Sequence, residues 1–116
     1  MTKHYLKTEI PENIREDTYI ETSKNEGRSI IGFRNLDGSP LIEDDFEYRL
    51  NYAPYSTAEF SIKEDFGIFI TGYWTWKEAV KGHKAIVDLI MNHPDLYSKM
   101  DDDELEDIAL CRQKAE

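Results

Sequence analysis

The fold is decided by Gly67-Ile-Phe-Ile-Thr-Gly-Tyr-Trp-Thr-Trp-Lys-Glu-Ala-Val-Lys-Gly-His-Lys-Ala-Ile-Val-Asp-Leu-Ile90. The first residues are β-branched or aromatic, which is typical of a strand. Thr75 and Glu78 are spaced as in a capping box, in which each side chain bonds the other residue's backbone N–H. Apolar residues then recur at helical spacing and predict an amphipathic helix of about 17 residues. The helix should end at Asn92-His93-Pro94, because a residue before proline avoids the α region.

Two residues inside this predicted helix need an explanation. His83 lies on the apolar face with Trp76, and no Ser or Cys motif supplies the nucleophile that a catalytic histidine needs. We therefore predict that His83 and Trp76, like Thr75 and Glu78, have structural roles. Gly82 costs about 1 kcal/mol in a helix relative to alanine. Either another group approaches closely there, or the helix simply tolerates the glycine.

The rest of the chain predicts strands outward from this corner. Residues 46–52 alternate apolar and polar, which indicates a half-buried strand, and residues 57–62 and 68–71 should form a hairpin. Residues 18–22 and 28–34 resemble a second hairpin around a polar loop. Residues 35–38 form a turn signal that favours positive φ at Gly38. The prediction is an α+β fold, with an antiparallel sheet of four to five strands against one long helix.

Both ends of the chain are predicted to be peripheral parts of a single domain spanning residues 1–116. Residues 1–16 are read as a loosely ordered arm or strand. Residues 101–114 are read as an acidic C-terminal helix, with acids at its start and Arg112 and Lys114 at its end, as the helix dipole favours.

Charge limits the classes of partner. The formal net charge is -10, from 24 acidic and 14 basic residues, and such a field repels nucleic acids and anionic membranes. We therefore expect no direct nucleic-acid or membrane partner, and either a protein partner with a basic surface or a charge that serves solubility. Cys111 is the only cysteine, which suits a reducing compartment, and we expect a cytoplasmic protein.

No local motif carries catalytic chemistry. The sequence has no glycine-rich phosphate loop and no nucleophile elbow. Its acidic runs at 43–45 and 101–104 lack the spacing of a calcium loop. We predict no catalytic residues, no metal and no cofactor, although a carboxylate pair built from distant positions would leave no local pattern.

The candidate partner-binding residues are aromatic or acidic. Tyrosines at corners of the fold are good contact residues where they face solvent, and the C-terminal acids exceed what a helix start requires. The candidates are Tyr55, Tyr73, Asp102, Asp103, Glu106 and Asp107, with Glu43, Asp44 and Asp45 as a second patch.

The strand-to-helix corner resembles small uncharacterised proteins of tailed bacteriophages. In those proteins a hairpin strand leads to a Tyr-Ser/Thr-Thr-x-x-Glu-Ala-x-x-Gly-His corner, matched here by Tyr73, Thr75, Glu78, Ala79, Gly82 and His83. The resemblance covers residues 60–87. It departs at Trp74, which replaces a small polar residue, and at the missing glycine-rich turn before the corner. The resemblance implies a phage origin and a local fold, and it carries over no activity and no site residues.

These observations favour a non-enzymatic phage-type accessory protein that binds and inhibits a host or antiviral-defence protein in the host cytoplasm. One alternative is a sponge for a small nucleotide signal, which should bring basic and aromatic residues together in one concave site. Another is a minor virion or packaging component. The oligomeric state stays open, including a dimer.

Overall fold

The computed structural model describes residues 4–112 and has the predicted α+β architecture. Four antiparallel strands form one sheet in the order β1-β2-β3-β4. The strands are β1 (Tyr5–Glu9), β2 (Thr18–Lys24), β3 (Tyr55–Ser61) and β4 (Gly67–Tyr73). The helices are α1 (Phe46–Tyr52), α2 (Trp76–Asn92), α3 (Pro94–Lys99) and α4 (Asp102–Ala109), and a 3-10 turn covers Ile30–Gly32.

The sheet has helices on both faces. On one face α2 contacts all four strands, and α4 packs beside it against β4. The main core lies between these layers and includes Ile20, Ile70, Ile86 and Ile90. On the opposite face α1 packs on β4 at Gly72, where an added Cβ would lie 2.4 Å from Ala53 Cβ. The end of β4 is therefore enclosed by helices on both sides.

An irregularity in β4 changes which of its residues face the core. Thr57 pairs with Thr71, but the next residue of β3, Ala58, pairs with Phe69. Ile70 is the extra residue of this β-bulge, and both Ile70 and Thr71 are buried. The bulge thus lets two consecutive residues of β4 take part in the core.

The capping box of α2 is present as the sequence predicts. Thr75 Oγ1 accepts a hydrogen bond from the Glu78 N–H at 3.2 Å, and Glu78 Oε1 accepts one from the Thr75 N–H at 3.1 Å. The helix ends at Asn92, as predicted. Pro94 then begins α3, a short helix that the sequence reading missed, because proline is well suited to the first helical position.

Gly82 is required by close packing. A Cβ at this position would lie 2.2 Å from Tyr73 Oη and 2.4 Å from the backbone oxygen of Ala109. The missing side chain therefore brings β4 and α4 against the middle of α2. Of the two explanations left open by the sequence, close approach of another group is the correct one.

Residues 46–52 form helix α1, so the predicted strand is wrong. Asp45 caps this helix by accepting a hydrogen bond from the Tyr48 N–H at 2.8 Å. Tyr48 and Arg49 are its buried residues, whereas Leu50 is exposed. Seven residues are too few for alternation to distinguish a strand from a helix, and the aspartate cap before them was the more informative signal.

Two further boundaries differ from the predictions. Residues 28–34 form no strand, and β2 pairs with β1 and β3 instead. The acidic helix begins at Asp102 with Asp101 as its cap, close to the predicted start, but it ends at Ala109. Leu110 ends it and Cys111 has a φ of 56°. The predicted helix end at residue 114 and the first three residues of the predicted arm lie outside the described residues.

Replacing Thr75 with alanine should lower the free energy of unfolding by about 1 kcal/mol, because α2 loses its side-chain cap. Thr75→Ser retains the hydroxyl and should lose much less. Chemical denaturation of the two variants beside the parent measures the difference. Equal losses in both variants would show that the capping bond contributes nothing.

Gly82→Ala should destabilise the protein by about 1–3 kcal/mol through overpacking. Helix propensity alone predicts the opposite, a gain of about 1 kcal/mol. The control is Lys84→Ala, at an exposed position of the same helix. A Gly82→Ala variant more stable than the parent in thermal unfolding would refute the close approach of Tyr73.

Candidate functional site

A chain of hydrogen bonds through the core connects α2 to every strand. His83 Nε2 lies 2.8 Å from Thr8 Oγ1, and His83 Nδ1 lies 2.8 Å from Thr22 Oγ1. Thr22 Oγ1 lies 2.5 Å from Thr57 Oγ1, which lies 2.8 Å from Tyr73 Oη. Each of β1, β2, β3 and β4 supplies one hydroxyl group. The sequence predicts only that His83 lies on the apolar face with Trp76, and it gives no signal for these hydroxyl partners.

The order of donors and acceptors in this hydrogen-bond chain determines the protonation state and tautomer of His83. Within residues 4–112 the buried Tyr73 hydroxyl has only Thr57 as an acceptor, so it donates there. Thr57 then donates to Thr22, and Thr22 donates to Nδ1 of His83. The ring proton must therefore sit on Nε2 and point to Thr8. Only a neutral His83 satisfies every donor in the chain.

Burial also favours the neutral form of His83. His83 is buried, and desolvation lowers the pKa of its imidazole. Protonation would add a donor at Nδ1 and reverse the chain, leaving the Tyr73 hydroxyl proton without an acceptor. A neutral imidazole whose two nitrogens both bond to threonine hydroxyls links α2 to β1 and β2 within the core.

The acidic C-terminal region is only partly available to a partner. Asp102 and Asp103 are exposed in the first turn of α4. Asp107 is half-buried and lies 3.2 Å from Arg112 Nη1. Glu106 is 6% exposed, so its prediction as a solvent-facing contact is wrong. It lies on the inner face of α4, where its Oε2 accepts a hydrogen bond from Thr71 Oγ1 at 3.2 Å, and burial raises its pKa.

The two candidate tyrosines have different positions. Tyr73 is fully buried, and the expectation of an exposed contact residue is wrong, because Gly82 lets its ring pack against α2. Tyr55 is half-buried, with its ring 5.6 Å from the ring of Trp76 and 5.4 Å from that of His4. Of the two tyrosines, only Tyr55 retains surface that a partner could contact.

The most unusual surface is the segment between β2 and α1, which we call the apolar loop (residues 29–43). Four of its aliphatic residues are more than half exposed: Ile31 at 85%, Leu36 fully, Leu41 at 53% and Ile42 at 58%. Ile30, Ile31 and Leu36 line one shallow groove of about 210 Å³. Ile42 lines a separate shallow cleft beside α1. Exposed apolar patches of this kind are characteristic of interaction surfaces.

The tip of the apolar loop has a defined conformation. Arg34 and Pro40 form an isolated antiparallel bridge. Between them the Asn35 N–H donates to the Ser39 carbonyl at 2.8 Å, and the Gly38 N–H donates to the Asn35 carbonyl at 2.9 Å. Gly38 has a φ of 90°, as the sequence predicted. The turn presents Leu36 at its outermost point.

The base of the loop is held by the arginine clamp (Arg34, Asp44, Arg49 and Trp74), in which two buried guanidinium groups meet a half-buried carboxylate beside the tryptophan ring. Asp44 Oδ2 lies 2.9 Å from Arg34 Nη2, and Asp44 Oδ1 lies 2.9 Å from Arg49 Nε. Arg34 Cζ lies 3.9 Å above the centre of the Trp74 ring. Arg49 Nη1 also donates to the Gly72 carbonyl at 2.8 Å. The clamp thereby joins the loop to α1 and β4.

The clamp removes Asp44 from the predicted second acidic patch, because its carboxylate is half-buried between two guanidinium groups. Glu43 and Asp45 of that patch are exposed. Residues 29–47 contain a single base, Arg34, and five acids: Asp37, Glu43, Asp44, Asp45 and Glu47. The exposed aliphatic residues therefore lie in a negatively charged surrounding.

Sequence reasoning missed this surface because it assigned part of the loop to a strand. Ile30 and Ile31 have high strand propensity, which hid the more useful signal. That signal was the presence of Leu36, Leu41 and Ile42 in a segment rich in Asn, Asp, Gly, Ser and Pro. Large aliphatic residues in such a turn-forming segment have no nearby periodic face on which to be buried.

Comparison of the chain with protein-family models, with curated proteins and with solved structures found no match. Among residues 4–112 no three His, Cys, Asp or Glu side chains come together as ligands for a metal ion. None of the helices in that part of the chain has the length and apolar character needed to cross a bilayer. The proposal below therefore depends on the geometry and charge of the surface.

His83 should make the stability of the protein depend on pH in a defined direction. Its folded-state pKa is lowered from the ordinary value of about 6.5. The imidazole of His83 therefore binds a proton more readily in the unfolded chain than in the folded one. The stabilising contribution of His83 is lost as the pH falls below about 6.5. His83→Gln should lose about 1–3 kcal/mol at pH 7.5, because its hydrogen bonds are broken.

The measurement is the difference in unfolding free energy between parent and variant at pH 7.5 and pH 5.5. The difference should be smaller at pH 5.5. Glu106, whose pKa is raised, makes stability change with pH in the opposite direction. Both proteins contain Glu106, so its effect cancels when the unfolding free energy of the variant is subtracted from that of the parent. His93→Gln, at an exposed position, is the control. A difference that does not change with pH would show that His83 titrates alike in the folded and unfolded chain.

Proposed function

We propose that this chain is a non-enzymatic, phage-type accessory protein that binds and inhibits a host or antiviral-defence protein in the host cytoplasm, using the apolar loop as its contact surface. The observation that carries the proposal is that four aliphatic side chains of the apolar loop are more than half exposed, one of them, Leu36, on a hydrogen-bonded turn. Burying one such side chain in a partner contributes about 1.5–3 kcal/mol. The phage origin rests on the resemblance of the strand-to-helix corner.

The arginine clamp supports a binding role for the loop. Arg34 and Arg49 have side chains only 8% exposed. Buried charges of this kind are expensive to desolvate, and one attested use of such groups is to define a single conformation. A loop that is already ordered loses less conformational freedom when it binds. The clamp thus gives the apolar loop the preorganisation that tight binding needs.

The charge around the loop indicates the chemistry of the partner. With one base and five acids in residues 29–47, the loop should bind an apolar cleft surrounded by Lys and Arg side chains. A second copy of this chain fits poorly, because two surfaces of the same negative charge would face each other. The partner that we propose is therefore a different protein with a basic surface, such as one whose natural ligand is a nucleic acid.

The nucleotide-sponge alternative has less support. The groove of the apolar loop contains Arg34, and a second cleft, beneath α3 and α4, contains Arg15. Each of these arginines is already paired with a carboxylate, Arg34 with Asp44 and Arg15 with Glu59. Neither cleft gathers the unpaired basic groups that a phosphate ligand requires.

The test compares one triple variant with one double variant in partner capture. The loop variant combines Ile31→Ser, Leu36→Ser and Leu41→Ser. The control combines Ile62→Ser and Phe66→Ser, which are also exposed aliphatic and aromatic positions but lie in the β3–β4 connection. Proteins captured by the parent from host lysate are purified, and their affinities for parent, loop variant and control are measured, with circular dichroism verifying each fold.

We expect the loop variant to bind about 100-fold more weakly or worse, as for the loss of central interface residues, and the control to bind like the parent. Affinity for the parent should fall with added salt. The bound partner should carry a Lys- and Arg-rich surface and lose activity. Retained affinity of the loop variant would overturn the proposal, and loss of binding on neutralising Asp102 and Asp103 instead would move the interface to α4. Dissociation of a parent dimer by the loop variant would identify a second copy as the occupant.

A further inference from the structure

A second concave site lies at the other side of the core, between β4 and the α3–α4 connection. It is a half-open cleft of about 200 Å³ and shares no lining residue with the groove of the apolar loop. Ile68, Met100 and Leu105 supply its apolar walls. Ile68 of β4 is 52% exposed and lines the cleft together with Leu105 of α4. The cleft therefore has apolar surface that the fold leaves uncovered.

The polar part of the cleft is rigidly built. Tyr97 Oη donates to Glu59 Oε1 at 2.5 Å, and Arg15 Nη2 lies 3.3 Å from Glu59 Oε2. Arg15 Nη1 also donates to Ser98 Oγ at 2.7 Å, and its Cζ lies 5.0 Å from the centre of the Tyr97 ring. Three elements are thus joined at the floor of the cleft, and the positive charge of Arg15 is already neutralised by Glu59.

Negative charge remains in excess. The cleft contains two carboxylates, Glu59 and Asp102, against one guanidinium group. A carboxylate accepts about four hydrogen bonds, whereas Glu59 accepts two from its neighbours. Within residues 4–112 the exposed carboxylate of Asp102 makes no ion pair with a basic side chain. An anionic ligand would be repelled, and a cation would find unused acceptors.

We infer that this cleft binds a guanidinium or ammonium group carried on an aliphatic stem, as in an arginine or lysine side chain. The stem packs against Ile68, Met100 and Leu105, and the cationic head donates to Asp102 and Glu59. Arginine and lysine side chains commonly bury their stems along apolar surface in this way. The same chemistry occurs in a side chain of a protein and in a free alkyl amine. The site is independent of the apolar loop and of the proposed inhibitor function.

The experiment titrates the purified protein with N-acetyl-arginine-N-methylamide and follows backbone amide signals by NMR. The matched ligand is the citrulline analogue, which has the same shape without the charge. Asp102→Asn removes one carboxylate of the cleft. Asp88→Asn removes the same charge from an exposed position of α2 that does not line the cleft. The triple loop variant described above is titrated as well.

The changes in amide chemical shift on adding the arginine ligand should cluster on residues around Ile68, Tyr97 and Leu105. The citrulline analogue should bind about 5-fold more weakly or worse. Asp102→Asn should weaken arginine binding about 5-fold, while Asp88→Asn and the loop variant should bind like the parent. Agmatine distinguishes the two sources: weaker binding than the blocked arginine indicates a protein side chain, and tighter binding indicates a free amine.

Equal binding of the citrulline analogue would overturn the inference. So would an equal effect of Asp88→Asn, since it would show that the arginine responds to the overall charge of -10 and not to the cleft. A failed partner capture with a positive titration would refute the inhibitor proposal alone. The reverse result would refute the cleft alone.

Discussion

The hydrogen-bond chain from Thr8 to Tyr73 through His83 is the constraint on which the arrangement of sheet and helix depends. Each strand must place one hydroxyl group on the same face of the sheet. Thr22 and Thr57 are direct register partners, whereas Thr8 and Tyr73 are each offset by two residues from their neighbour in the hydrogen-bond chain. A shift of one residue in any strand would turn its hydroxyl to the opposite face. It would also leave a buried donor or acceptor unsatisfied, at a cost of about 1–3 kcal/mol. The hydrogen-bond chain therefore selects the register of the whole sheet.

Gly82 makes this arrangement sterically feasible. The residue beside His83 has no side chain, so the Tyr73 ring reaches α2 and closes the end of the hydrogen-bond chain. The same gap admits the backbone of Ala109 from α4. One glycine thus sets the distance of both β4 and α4 from the long helix. Its unfavourable helix propensity is tolerated because tertiary packing determines the stability of a buried helix more than propensity does.

The features that the sequence predicted well are those encoded by neighbouring residues. The box formed by Thr75 and Glu78, the end of α2 before Pro94 and the positive φ of Gly38 each depend on a few adjacent positions. The α+β class followed because one long periodic helix and several short strand-like segments leave few other layer arrangements.

The features it missed depend on contacts between distant positions. Alternation in residues 46–52 fitted a strand, but burial of Tyr48 against Trp74 and of Arg49 against Gly72 is realised in a helix. Tyr73 and Glu106 were predicted to be available for binding. No local pattern indicates that Tyr73 packs at Gly82 or that Glu106 bonds to Thr71. The arginine clamp was invisible for the same reason, since its members come from a loop, a helix and the corner after β4.

The two faces of β4 connect the core to the proposed binding surface. On one face Tyr73 packs at Gly82, and on the other Gly72 admits Ala53 and the carbonyl of Arg49 from α1. Arg49 returns a hydrogen bond to the Gly72 carbonyl and holds Asp44, which in turn holds Arg34 at the base of the apolar loop. Burying the two guanidinium groups of this clamp is costly in desolvation. Their presence is explained if the position of the exposed aliphatic residues matters, and that position is set through β4 by the same packing that orders the core.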